Sequence, residues 1–170
     1  MSDSATDKII NVLFLCTHNS ARSIIAEAVL NKIGSRRFKA FSAGSSPREN
    51  QQPNPLGLQV LKDAGISTDG LRSKTWDEFA LASAPHMDLV ITVCDNAAGE
   101  VCPFWPGQPA TAHWGYPDPS DVQGTDEERL EAFRKTLYAM KFRLELFMSL
   151  PVASVDKLML EKHARGLAKS

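Results

Sequence analysis

Three cysteines in 170 residues, Cys16, Cys94 and Cys102, are odd in number and too few to staple a secreted scaffold. They point to a reducing cytoplasm, where each thiol needs a chemical reason. An excess of charge is missing as well. Lys and Arg total 19 against 20 Asp and Glu, a formal net charge of −1, which leaves no electrostatic footprint for nucleic acid or an anionic membrane surface. Long hydrophobic runs are absent. Ile9 to Leu15 is broken by Asn11 and is too short for a signal peptide or a membrane span. No G-x-G-x-x-G or flavin motif occurs, so no cofactor is expected. Glycine and proline at ten each, with no repeat, exclude collagenous and low-complexity chains.

What is present reads as alternating strands and helices. Ile9 to Leu15 is a buried strand, nearly continuous in apolar β-formers. Residues 22 to 33 place Ile25, Ala28, Val29 and Ile33 at helical spacing, and Gly34 ends the helix. Residues 38 to 43 alternate as a second strand. A helix from Pro55 places Leu58, Leu61 and Lys62 at i, i+3 and i+4, with Gly65 closing it. Trp76 to Ala82 is a short helical candidate, Asp88 to Val93 a third strand and Ala110 to Trp114 a fourth. Thr125-Asp126-Glu127-Glu128 is a capping box, after which Leu130, Phe133, Leu137, Met140, Leu144 and Phe147 mark one long amphipathic helix. The expectation is a single three-layer α/β domain over 9–150, a four-stranded parallel sheet flanked by helices. A polar extension, 1–8, precedes it. A basic-leaning tail, 151–170, follows Pro151 and holds at most a short helix. Ligands of such sheets bind at the carboxyl ends of the strands.

The first strand ends at Cys16, and Cys16-Thr17-His18-Asn19-Ser20-Ala21-Arg22-Ser23 fills the turn before the helix. A C-x5-R-S segment at a strand-to-helix junction turns successive amides inward as an anion nest, and the helix dipole adds positive charge there. Arg22 can clamp two oxygens of a tetrahedral oxyanion, a geometry lysine cannot match. The same field favours the thiolate of Cys16. Nucleophile and oxyanion clamp therefore coincide. Tyr116-Pro117-Asp118-Pro119 is a rigid turn that can fix the Asp118 carboxylate over a site, with a plain Asp-Pro turn the alternative.

V-L-F-L-C-T-H-N-S-A-R-S resembles the phosphate loop of the low-molecular-weight protein tyrosine phosphatase superfamily, and the match continues through Phe41-Ser42-Ala43-Gly44, Gly65-Ile66-Ser67 and Asp118-Pro119. The resemblance implies a flavodoxin-like topology. It makes Cys16 the nucleophile, Arg22 and the amides of residues 17–23 (Thr17, His18, Asn19, Ser20, Ala21, Ser23) the substrate cradle, and Asp118 the acid that protonates the departing oxygen. Asn19, Ser20, Ser23 and Ser42 would hold the loop in shape. Cys94 to Pro103 supplies two more thiols where the arsenate reductase branch has its redox loop, so the chain most resembles that branch. In this reading arsenate is the substrate, with phosphate its competitor. Cys94 attacks arsenylated Cys16, Cys102 resolves the resulting disulfide, and thioredoxin or glutathione with glutaredoxin reduces the pair. The two loop thiols must move to meet.

Two departures from that branch are visible. The loop cysteines stand one residue farther apart than is usual there, and Ala21 replaces a frequent cysteine. Against a tyrosine phosphatase, Ser120-Asp121 follows where aromatics usually pack on the substrate ring, and Ile24 stands in place of proline. Hydrolysis of phosphate monoesters through a cysteinyl-phosphate is the alternative expectation, and a silent oxyanion-binding module the third. The C-x7-C-x10-H spacing ending at His113 matches no standard zinc pattern, so no metal is expected.

Overall fold

Ile10–Cys16 forms β1, the strand around which the sheet is built. In the computed structural model, residues 9–95, 110–149 and 157–169 are described. β1 pairs in parallel with β2 (Phe38–Gly44) on one side and β3 (Leu89–Thr92) on the other, and β4 (Ala110–His113) adds to β3, giving the order β2-β1-β3-β4. Helices α1 (Arg22–Ile33), α2 (Pro55–Asp63), α3 (Asp126–Ser149) and α4 (Lys157–Gly166) complete the α/β domain.

The unbroken apolar run of β1 has a direct cause: both faces of the strand are covered. Val12, Phe14 and Cys16 join the main core with α1 and α3, while Leu13 and Leu15 meet Ala43, Met87 and Val90, backed by Phe41, Trp76 and Phe79. α1 is buried almost throughout its first turns, so it carries no clean amphipathic stripe. α3 lays Phe133, Leu137, Met140, Leu144 and Phe147 against the core, and Phe147 meets the rings of Phe38 and Trp114 with centroids 5.5 and 6.2 Å apart. Its start is the expected capping box, with Glu128 N–H donating to Thr125 Oγ1 at 3.1 Å and Thr125 N–H to Glu128 Oε1 at 3.1 Å.

Some details differ from the sequence expectation. α2 buries Gly57, Val60 and Leu61, leaving Leu58 half-covered and Lys62 exposed. The cause is Gly57, where a Cβ would stand 3.7 Å from Phe133 and 3.8 Å from Ile25, so the small residue faces the neighbouring helices. Asn54 caps this helix by accepting from Leu56 N–H, and Gly65 ends it with φ of 75°. The candidate at Trp76 to Ala82 is only a single 3-10 turn, Trp76–Phe79. The tail carries a short helix, α4, which packs against the sheet. Ala164 of α4 is fully buried and its carbonyl accepts from Trp114 Nε1 at 2.8 Å, while Glu161 accepts from Thr111 N–H and Arg165 donates to Thr111 C=O. No helix among the described residues is long and apolar enough to cross a membrane.

Candidate active site

Chain order reverses where β1 lies between β2 and β3, and the crevice beyond the carboxyl ends of such strands is where ligands bind. Cys16 is the last residue of β1 and is buried. The loop that follows is held from outside. Ser45 N–H donates to Cys16 C=O, Ser46 N–H to Thr17 C=O and Asn54 N–H to Ser20 C=O, at 2.8 to 3.1 Å. Three of its carbonyls are thus engaged from outside, and Asn19 N–H points at Cys16 Sγ from 3.2 Å. Ala21 starts α1 with no side-chain cap, and the first turn holds no acid to compete with an anion. The buried Thr17 hydroxyl has no partner among the described residues.

Asn19 sits at φ 57°, in the left-handed region that asparagine tolerates better than most residues. Its side chain organises the site. A backbone N–H can only donate, so the bond from Lys74 N–H at 2.9 Å fixes Asn19 Oδ1 towards Lys74 and turns Nδ2 towards the serines. Nδ2 then donates to Ser23 Oγ at 2.7 Å and to Ser42 Oγ at 3.0 Å. The Ser42 hydroxyl in turn donates to Glu27. Ser23 Oγ is 2.9 Å from Cys16 Sγ, and towards an ionised sulfur, which has no proton to give, its hydroxyl is the donor.

Glu27 and Lys74 extend this network, and neither is evident from motif reading. Glu27 interrupts an otherwise buried helix face, which is the one signal that could have exposed it. Burial holds its carboxyl above the ordinary value, with the Ser42 bond and the Lys74 cation opposing. Lys74 Nζ stands 4.0 Å from it, and burial pushes that amine below its ordinary value while Glu27 opposes.

Arg22, 5% exposed, donates from one guanidinium nitrogen to Tyr116 C=O at 3.0 Å and lies 3.6 Å from Asp118 through the other. A buried guanidinium is costly unless paired, and these two acceptors supply the pairing. Asp118 is partly exposed and accepts from both the amide and the hydroxyl of Ser120 through its other oxygen. Arg22, in the first turn of the helix that follows Cys16, is therefore flanked by the Tyr116 carbonyl and Asp118.

Cys94 is fully buried just past β3, and Val93 N–H donates to Leu15 C=O at 2.9 Å, so Cys16 and Cys94 leave the carboxyl ends of neighbouring strands. Cys16 is a free thiol. Cys102 lies outside the described residues. His18 is half-buried in the loop, and His113 Nδ1 is 2.6 Å from Thr92 Oγ1. Among the described residues no cluster of His, Cys, Asp or Glu could hold a metal ion.

A parallel α/β domain with a buried thiol between its first strand and first helix matches, over residues 11–160, the family model for low molecular weight phosphotyrosine protein phosphatase, and the chain belongs to that family. Its relatives include the arsenate reductase of Halalkalibacterium halodurans, 37% identical over 136 residues that make up 80% of this chain and 93% of its own. The crystal structure of arsenate reductase from Archaeoglobus fulgidus superposes with a TM-score of 0.63 at 29% identity, over 79% of this chain and 95% of that one. A Corynebacterium glutamicum thioredoxin-dependent arsenate reductase does so with a TM-score of 0.52 at 27% identity, over 82% of this chain and 63% of that one.

Proposed function

We propose that this protein reduces arsenate to arsenite by a relay of its own thiols. The observation that carries the reading is the exit of Cys16 and Cys94 from adjacent parallel strands, which lie about 4.8 Å apart in any sheet. A family phosphatase would need only the first thiol. The curated relatives named as arsenate reductases support the same choice.

In the proposed sequence the Cys16 thiolate attacks arsenic, a sulfur–arsenic bond forms, and one arsenate oxygen leaves as water with a proton from Asp118. Arg22 and the inward amides of residues 17–23 hold the remaining oxygens, and their field grows in worth as charge develops. The Cys94 thiolate then attacks Cys16 Sγ. A disulfide forms, the sulfur–arsenic bond breaks, and its electron pair stays on arsenic, which falls from the +5 to the +3 state and departs as arsenite. Cys102 next attacks Cys94, freeing Cys16 and closing a Cys94–Cys102 disulfide. An external dithiol, thioredoxin or glutathione with glutaredoxin, restores the reduced chain in a reducing compartment.

Single-turnover conversion of arsenate by the fully reduced protein, without added reductant, tests this. One arsenite per chain and a Cys94–Cys102 bridge are expected. Arsenite formed only after glutathione is added would remove the internal relay. Hydrolysis of a phosphate ester with no arsenite would replace the reading with that of a phosphatase.

A further inference from the structure

Arg22 is anchored on a backbone carbonyl, that of Tyr116, so whatever fixes Tyr116 fixes the oxyanion clamp. Two features of the molecule do so. Arg143, on α3, places its guanidinium carbon 4.9 Å from the centre of the Tyr116 ring and 5.6 Å from that of Trp114. Trp114 is in turn tied to α4 through its indole N–H. Both rings are buried, and Tyr116 has its phenol pushed up to about 12 by that burial, with the Arg143 cation opposing. The ring is therefore neutral and presents its face to the guanidinium across the accessible pH range.

From this arrangement we infer that Arg143 is a positioning residue for the clamp. Its guanidinium is planar and stacks on both rings that flank Gly115, so it sets the path of residues 114–116 and with it the direction of the Tyr116 carbonyl. Asp118 follows two residues later and shares Arg22 with that carbonyl. Rotating the segment moves anchor and acid together. A lysine at position 143 keeps the charge but loses the planar face and its stacking geometry. The inference rests on the reading of Arg22 as the group that holds the oxyanion.

Direct binding of inorganic phosphate, measured calorimetrically, separates the two readings because it needs no turnover. Arg22→Lys is expected to weaken phosphate binding, which tests the clamp itself. Arg143→Met, which retains an apolar stem, is expected to weaken it about tenfold in the otherwise unchanged chain and by less than about twofold in the Arg22→Lys background, since a residue acting through Arg22 loses its lever there. Arg143→Lys is expected to recover only part of the loss. In arsenate turnover the KM should rise with the phosphate dissociation constant.

A purely structural role would lower the melting temperature and the active fraction while leaving the phosphate affinity of the folded protein unmoved. Equal losses in both backgrounds, or unchanged affinity in folded Arg143→Met, would overturn the inference. If Arg143→Met melts below the assay temperature, Tyr116→Leu, which removes the ring on which Arg143 stacks, takes its place in the same double comparison. Phosphate binding unaffected by Arg22→Lys would overturn the clamp reading itself and, with it, a role for Arg143 that acts through Arg22.

Discussion

A Cβ placed on Gly44 would stand 2.5 Å from the carbonyl oxygen of Thr17 and 3.0 Å from the amide nitrogen of Asn19. Real structures do not hold such contacts, so the end of β2 must be a glycine if the catalytic loop is to lie where it does. Gly44→Ala is expected to push the loop outward. The domain stays folded by circular dichroism while the rate of the first chemical step falls by about a hundredfold, the cost of a misplaced oxyanion cradle. A variant with normal single-turnover kinetics would show that the loop adapts freely.

Asn19→Ala removes two donated bonds and one accepted bond from a fully buried side chain, and places alanine at a φ of 57°. Unfolding in urea should show a loss of about 2–4 kcal/mol, with Lys74 N–H left without its acceptor. Activity should fall as well, because Ser23 is no longer held with its proton towards Cys16.

Asp118→Asn is expected to slow any step whose departing oxygen needs a proton by about a hundredfold or more. An aryl phosphate whose phenolate leaves without one should be affected much less. Comparing arsenate with such an ester checks the role, and equal losses on both would remove Asp118 as the acid.

Glu27 carries a pH signature. Its carboxyl is raised from 4.5 by burial, so its contribution to stability is fully present below that pH and is lost as the pH rises through the raised value of the folded state. Denaturant midpoints across this range should show Glu27→Gln losing less stability than the parent chain between pH 4.5 and neutrality. Parallel curves would mean that Glu27 titrates normally.

Trp114→Phe keeps the aromatic volume but leaves the Ala164 carbonyl without its donor. A loss of about 1–2 kcal/mol is expected in the same denaturation assay. No change would mean that α4 is held by its other contacts alone.

The readable and unreadable parts of this chain divide along physical lines. β1 was legible because a strand covered on both faces has to be apolar throughout, and the placing of Cys16 and Arg22 on either side of one strand-to-helix turn was legible because the apolar run stops at one and the helical spacing starts at the other. The capping box of α3 was legible from four consecutive residues. The face of α2 was not, since Gly57 contributes by having no side chain and a hydrophobicity pattern cannot register that. The Tyr116 carbonyl that anchors Arg22 has no sequence signature at all, because every residue carries one. Lys74 reaches Asn19 through its backbone amide and approaches Glu27 with its side chain, two contacts made across 55 and 47 positions of chain that only the fold brings together. The packing of α4 rests likewise on contacts made across some fifty positions of chain, Trp114 to Ala164 and Thr111 to Glu161 and Arg165.

The side chains of Glu161 and Arg165 occupy the outward N–H and C=O of Thr111, on the last strand of the sheet. An unpaired strand margin is a template for another chain of the same kind. By engaging these two groups, α4 withholds them from intermolecular pairing. A protein shortened before residue 157 would therefore fail by association, one sheet continuing into the next, before its catalytic crevice lost its shape.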